Sequence, residues 1–406
     1  MKKFCFLIIA MMLINWDFEI EAGNNKVINV MELVTKEKLE ESLKDIILFG
    51  PRLTGTEACR KAAKYIYERF IAMGLKTRYC NWTASINFKK YEGPNVEGIL
   101  QGDELIIVFN AHFDSVANTV GADDNAAGVA ALLTIAEAMS KFKFKHTIRF
   151  VAFSGEEQGL LGSNEYVKEA YERGDKIIIE FNADMIGHAE SEEGKKRFRI
   201  YATEDADWIV RRIEEINNIT INFHLIKGNI SRRYGGSDYY SFAKYGYESI
   251  AFFEYEWNPK MHQPADNFSN VNLDYLLNTT RLIAGIIAFL GDANLEKPYL
   301  MISSPKKGRV YLNGKEVLKS ENILSIIFGK YYLKANAISP YGIEKVEFYM
   351  DKKLIYVDYK APYECEMNIF SLWKHEIKVL AYDNSKQHAT DTMKLFWLNF
   401  PFLFFH

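Results

Sequence analysis

The sequence predicts an α/β domain followed by a smaller all-β sandwich. Two patterns carry this. Between residues 105 and 290, short apolar runs alternate with segments of helical spacing, the order that gives a mostly parallel sheet covered on both faces. From 299 to 400 no long helical pattern occurs. Short strand-like runs at regular spacing, broken by Pro340, Gly342, Pro362 and Asp383-Asn384, suggest a β-sandwich instead. Length agrees, because 406 residues exceed one ordinary domain. The expected division is a leader over 1–22, an α/β domain over 23–296 and a β domain over 297–406.

Composition narrows the class. Hydrophobic residues make up 48% and charged residues 25% of the chain, enough apolar surface to offset the ordering entropy that keeps poor sequences disordered. The net charge is −3 and no Lys/Arg tract occurs, which argues against nucleic acid as the main partner.

Residues 1–22 are expected to lie outside the fold. A positive start (Met1, Lys2, Lys3), eleven apolar residues over 4–14 and a small residue at Ala22 form the pattern of a secretory signal. Eleven residues fall short of the ~20 that span a bilayer, and no later segment is expected to span. Beyond the leader three cysteines remain, Cys59, Cys80 and Cys365, with no CxxC. Export permits a disulfide between two of them. Any metal must then be held by His, Asp and Glu.

Element by element, residues 31–47 and 56–73 have helical spacing, the second ended by Gly74. Strand-like runs lie near 75–85 and 94–101, and 105–110 is a buried-strand run. A helix is expected over 125–142, with Val129, Leu132, Leu133, Ala136 and Met139 in one stripe. Further strands are expected at 147–153, 176–181 and 248–253. Further helices are expected at 163–171, 208–217, 237–245 and 273–290. In the β domain, strands are expected at 323–328, 331–337, 346–350, 354–357 and 377–381. Val346, Phe348 and Met350 there alternate with Glu347 and Tyr349.

The strand ends are chemically uniform. After 105–110 come His112 and Asp114, then Gly121-Ala122-Asp123-Asp124-Asn125. After 147–153 come Glu156 and Glu157, after 176–181 Asp184, and after 248–253 His262. Sites in open α/β sheets gather beyond the carboxyl ends of the strands. Each piece alone has a plain explanation: a lone His is usually structural, Glu156-Glu157 suits a solvated face, and Asp123-Asp124 suits a helix cap. Four strand ends presenting such residues together are harder to explain that way. Carboxylates and imidazoles without thiolate suit catalytic zinc. Charge balance favours two cations, since a single one would leave a buried cluster strongly negative. The natural chemistry is hydrolysis of an acyl bond, with a carboxylate off the metal as proton shuttle. The remaining histidines, at 146, 188, 224, 375, 388 and 406, have no such context.

The runs HFDS, GADDNAAG, SGEEQGLLGS, NADMIG and NPKMHQPAD, in this order, resemble the secreted double-zinc aminopeptidases related to bacterial leucyl aminopeptidase. The resemblance covers residues 30–292. It implies a phosphorylase/hydrolase-like three-layer fold with a central mixed sheet, two zinc ions, and removal of N-terminal residues from peptides with a free amino terminus. It also implies roles. His112 and Asp184 would bind one zinc, His262 and Glu157 the other, and Asp124 would bridge both. Asp114 would hold the free ring nitrogen of His112. Glu156 would be the general base acting on a metal-bridging hydroxide, and Tyr234 would steady the oxyanion. One departure is Tyr239, where the family often has His after Ser-Asp. The acidic and aromatic stretch 254–257 is expected to shape the mouth of the site. On the same fold, a carboxypeptidase or a one-zinc glutaminyl cyclase remain alternatives, as does a catalytically dead binding protein.

The runs GIEKVEFYMDKKL, APYECEM and HEIKVLAYDN resemble immunoglobulin-like domains appended to exported bacterial and archaeal enzymes. The Gly that usually follows the hairpin Asp is Lys352 here. The expected role is a spacer or adhesive module, with cell wall, glycan, another subunit or nothing as partner. Five Asn-x-Ser/Thr sites begin at Asn81, Asn218, Asn229, Asn267 and Asn278.

Overall fold

The structure is a computed structural model. It describes residues 25–399 except 87, 320–323 and 368–369. The expected leader over 1–22 lies outside the described residues. The chain forms two compact units: one comprises the residues up to Tyr171 together with Asp175–Ala293, the other Asn294–His406 with Glu172–Gly174.

The first unit begins with α1 (25–33) and α2 (Lys36–Ile47). The helix expected over 31–47 is therefore broken. Thr35 adopts an extended conformation and its hydroxyl accepts the Lys38 N–H, so a new helix is capped there. α3 (Glu57–Ala72) is capped the same way by Thr56 and stops before Gly74 at φ +79°. A hairpin of β1 (Lys76–Ile86) and β2 (Lys89–Leu100) precedes β3 (Leu105–His112). Then come α4 (Ala127–Met139), β4 (Thr147–Phe153), α5 (Leu161–Arg173) and β5 (Lys176–Ala183). The chain continues with β6 (Arg197–Ala202), α6 (Asp207–Ile219), β7 (His224–Asn229), α7 (Tyr239–Tyr245), β8 (Ser249–Glu254) and α8 (Leu273–Asp292).

These eight strands form one mixed sheet in the order β1-β2-β4-β3-β5-β8-β6-β7. At its centre β4, β3, β5 and β8 are mutually parallel, while β2 and β6 join antiparallel. Both faces of the centre are covered, so β3 is buried along its whole length. On β4, Ile148 faces Gly291 of α8, while Phe153, an odd number of residues on, meets Tyr166 of α5 and Phe242 of α7. α8 has the length and composition of a membrane span, contrary to expectation, but it is two-thirds buried and serves as a core helix.

The strands β6 and β7 carry no expectation from the sequence, although Arg197–Ala202 alternates outward Arg, Arg and Tyr with buried Phe198, Ile200 and Ala202. The helix expected from 125 starts only at Ala127, because Ala122–Ala126 form a wide turn that shapes the site.

The second unit is all β. A seven-stranded sheet runs β11-β10-β12-β18-β17-β14-β15, and a three-stranded sheet runs β16-β13-β9. Its strands are β9 (Tyr299–Ser304), β10 (Arg309–Leu312), β11 (Lys315–Lys319), β12 (Ser325–Phe328) and β13 (Tyr331–Ile338). They continue with β14 (Ile343–Met350), β15 (Lys353–Asp358), β16 (Tyr363–Met367), β17 (Lys374–Asp383) and β18 (His388–Leu398). The inward residues of both sheets share one core, with Leu333 and Cys365 from the small sheet meeting Phe348, Val379 and Trp397 from the large one. The β14–β15 turn places Asp351 and Lys352 at φ 47° and 69° without glycine. The Asp351 carboxylate offsets that conformation by accepting the Glu376 N–H at 3.0 Å and facing His375 Nδ1 at 2.6 Å. Cys59, Cys80 and Cys365 are all thiols.

Phe181 on β5 is fully buried and stacks on Phe252 at 5.8 Å. Phe181→Ala should lower unfolding free energy by ~3–5 kcal/mol, read from the urea midpoint at unchanged slope.

Candidate metal centre

The parallel strands β4, β3, β5 and β8 end at one edge of the sheet, and the expected residues converge there. His112 is the last residue of β3. Asp184 follows β5, Glu156 and Glu157 follow β4, and His262 lies on the long connection after β8. Two groups form. His112, Asp124 and Asp184 lie with one donor atom each within 4.8 Å of one another, and so do Asp124, Glu157 and His262. Asp124 belongs to both. Its Oδ1 is 3.3 Å from His112 Nε2, and its Oδ2 is 3.0 Å from His262 Nε2. His112 Nε2 lies 3.4 Å from Asp184 Oδ1, and His262 Nε2 lies 3.1 Å from Glu157 Oε2.

The GADDNAAG run is bent to make this possible. Gly121 has φ +51°, and a Cβ there would sit 2.0 Å from the Asp124 carbonyl oxygen. A Cβ on Gly128 would sit 2.3 Å from Asn125 Oδ1 and 2.6 Å from the Ala183 carbonyl. Only glycine fits at either end. Within the turn the Asp124–Asn125 peptide is cis. The N–H groups of Asp123 and Asp124 donate to the two oxygens of Asp266, at 3.0 and 3.2 Å. Asn125, not Asp123 or Asp124, caps α4. Its Oδ1 accepts the Gly128 N–H at 3.0 Å, and its Nδ2 donates to the Ala183 carbonyl at 2.9 Å. One side chain thus joins the turn that carries Asp124 to the strand end that carries Asp184.

Asp114 touches three site residues. His112 Nδ1 faces it, 3.2 Å from its main-chain oxygen and 3.6 Å from Oδ1. Its carboxylate accepts the N–H groups of Glu156 and Glu157, each at 3.3 Å, and the Thr54 hydroxyl at 2.9 Å. Glu157 turns inward, its side chain 5% exposed, so the Glu pair is not a solvated face. Glu156 gives no oxygen to either group. Tyr234 is 77% exposed on the approach to α7. Tyr239 packs on Phe253 and its hydroxyl accepts the Gly236 N–H at 3.1 Å.

The stretch 254–257 departs from expectation. Glu254 is buried and accepts the His188 N–H at 2.6 Å, and Glu256 accepts the N–H groups of Glu190 and Ser191. Only Trp257 is widely exposed there. These carboxylates hold loops instead of lining a mouth.

Sequence reasoning missed three supports. Arg52 is fully buried and donates to the carbonyls of Phe113, Val120 and Gly121, pinning the loop between His112 and Asp124. Burial pushes its guanidinium down to about 10, and Asp114 opposes that. Asp266 sits inside the NPKMHQPAD run, but nothing in that run signals its task of holding backbone N–H groups. Asp238 is fully buried with neither carboxylate oxygen hydrogen-bonded, and burial pushes it up to about 7. An isolated Asp in a polar loop gives no spacing signal.

The electrostatics describe a site short of positive charge. Burial, then the Asp124 charge, pushes Glu157 up to about 7. Burial would raise Asp124, but hydrogen bonds to His112 and His262 hold it well below the usual carboxylate range. The Asp124 hydrogen bond, reinforced by the Glu157 charge, pushes His262 up to about 9. Two imidazoles and three carboxylates with no thiolate fit divalent zinc, and the shared Asp124 fits two ions.

Without metal, the folded pKa values of His262 and Glu157 lie above their unfolded ones. The stability each contributes is complete below the unfolded value and is lost as pH rises through the folded one. The chelator-treated chain should therefore melt at falling temperature from about pH 4.5, through the Glu157 range, to about pH 9, and the gap to the zinc-loaded chain should widen over that window in scanning calorimetry. Asp266→Ala, which strips the acceptor from the Asp123 and Asp124 N–H groups, should weaken metal binding about 10–100-fold in chelator competition.

Comparison with known proteins agrees with this geometry. Residues 95–287 match the family described as Peptidase family M28. The chain is 29% identical over 202 residues to aminopeptidase Y of Saccharomyces cerevisiae, covering 46% of this chain and 36% of that protein. It spans between about a third and three fifths of the length of the curated relatives it matches first. Among solved structures, the LapA aminopeptidase of Legionella pneumophila superposes with a TM-score of 0.58 at 19% identity, over 67% of this chain and 75% of that one. A Bacteroides thetaiotaomicron glutaminyl cyclase superposes at 0.56 and 17% identity, over 63% of this chain and 97% of its own. These two likenesses show the fold. Residues 95–287 of the α/β unit are thus similar to Peptidase family M28, and the mixed sheet is shared with these solved structures.

Proposed function

We propose that this chain is a metallo-aminopeptidase that removes N-terminal residues from peptides using two zinc ions. One observation carries the reading: the two oxygens of Asp124 face different imidazoles, at 3.3 and 3.0 Å. A carboxylate so placed serves two cations at once. His112, Asp124 and Asp184 would hold one ion, and His262, Asp124 and Glu157 the other. Bound there, the ions supply Lewis acidity that lowers the pKa of water and polarises a carbonyl.

The rest of the work falls to the chain's own groups. Glu156 has its backbone N–H anchored on Asp114 and its carboxylate outside both ligand groups. It takes a proton from the attacking water and returns it to the leaving amine. Asp114 fixes the His112 ring through Nδ1, leaving Nε2 for metal. Tyr234 steadies the oxyanion. The names of relatives such as aminopeptidase Y and aminopeptidase YwaD support this chemistry, and the pattern over 1–22 supports export.

A glutaminyl cyclase reading is favoured by the structural neighbour that carries that name. A one-zinc cyclase requires only one of the two groups, so the shared Asp124 favours the peptidase. Release of ammonia from an N-terminal glutamine without loss of a residue would reverse the choice.

The direct test is a short peptide offered to the zinc-loaded chain with its amino terminus free and then acetylated. Stepwise shortening of the free form alone is expected; equal cleavage of both forms would reject an aminopeptidase. Glu156→Gln should retain both metals by elemental analysis and lose ~10²–10⁴-fold in kcat. Asp124→Ala should lose both ions, since the remaining carboxylates repel without their bridge.

A further inference from the structure

One end of the β unit carries chemistry that the metal site does not use. The strand register brings β10, β12, β14 and β18 to their ends there, and β11, β15 and β17 to their starts. Leu312 pairs with both Phe328 and Lys315, Phe328 with Leu398, Lys374 with Phe396, and Met350 with Lys353. Four apolar side chains stand exposed at this end: Leu312 at 51%, Phe328 at 37%, Phe370 at 58% and Trp373 at 72%. Around them, Lys315, Lys330, Lys352, Lys353 and Lys374 are all exposed, and none forms an ion pair among the described residues. The nearby acids are engaged: Asp351 by His375 and the Glu376 N–H, and Glu316 by Arg309. Asn399, bridged to Ser371, brings the chain out at the same end.

We propose that this end of the β unit docks on an anionic lipid surface. Trp and Phe favour the headgroup boundary, where a ring has both an apolar and a wet neighbour. Lysines without acidic partners are drawn to anionic lipid, each adding a similar increment near the surface. A protein partner would offer carboxylates to the same lysines, but cations spread along one end of the sheet beside exposed aromatics fit a flat negative surface with an apolar interior.

The test is sedimentation with vesicles, using the chain freed of residues 1–22. Phosphatidylcholine vesicles are compared with vesicles of phosphatidylcholine and phosphatidylglycerol. Binding is expected to the second kind and to weaken as salt rises. Changing Lys330, Lys352, Lys353 and Lys374 to Gln should weaken it about fivefold per lysine. Phe370→Ser with Trp373→Ser should weaken it about tenfold or more at any salt. Both variants should melt as the native chain does, since the changed side chains are exposed. No binding by the native chain, or equal binding by native and variants, would overturn the proposal. A dimer in vesicle-free buffer that Trp373→Ser abolishes would also overturn it and reassign the end to a contact between copies.

Discussion

One carboxylate constrains the α/β unit more than any other group. Asp124 presents each oxygen to a different imidazole, and no ordinary helix start would allow that. The turn from Gly121 to Ala126 exists to carry it. The surrounding polar groups are arranged around that turn: Asp266 accepts two of its N–H groups, Asn125 ties it to the end of β5, and Arg52 pins the loop before it. Remove the need for a shared ligand and the two glycines, the buried arginine and the buried Asp266 lose their common reason.

Charge is the second constraint. Asp114, Asp124, Asp184 and Asp238 are all buried near one edge of the sheet. In water such groups would be solvated; here Asp114 accepts two backbone N–H groups, imidazoles face Asp124 and Asp184, and Asp238 has no hydrogen-bond partner. The balance remains negative, and the imidazole of His262 responds by binding protons more tightly. A pair of divalent cations satisfies the same demand with more charge in less space. On the proposed reading, folding and metal binding would be coupled, and the metal-free chain would carry the electrostatic penalty alone.

The β unit divides its labour differently. Its core is a plain alternation of inward apolar residues from two sheets, and its outer edge near Trp373 holds the aromatic and lysine groups. Its turn at Asp351-Lys352 uses carboxylate contacts where glycine is the common choice, keeping a lysine at the tip.

Much of this was legible in the sequence, for physical reasons. Strands buried on both faces read as apolar runs, as Leu105–Phe109 does, and capped helices announce themselves through Thr56 and Gly74. The residues at the strand ends stood out because several metal-ligand types recurred at the same topological place. The strand Arg197–Ala202, one in from the sheet edge, did not stand out, since every second residue is a half-buried Arg or Tyr. Nor did the supports of the site: Arg52 and Asp266 act through hydrogen bonds to residues 61 to 143 positions away, which no local pattern encodes. The sequence by itself determined the fold class and the candidate side chains at the strand ends, because periodicity and residue type are local properties. Only the tertiary structure decided that both oxygens of Asp124 would be shared, that Glu254 would turn inward, and that lysines and aromatics would gather at one end of the β unit. Those outcomes depend on strand register and on which buried polar group finds which partner.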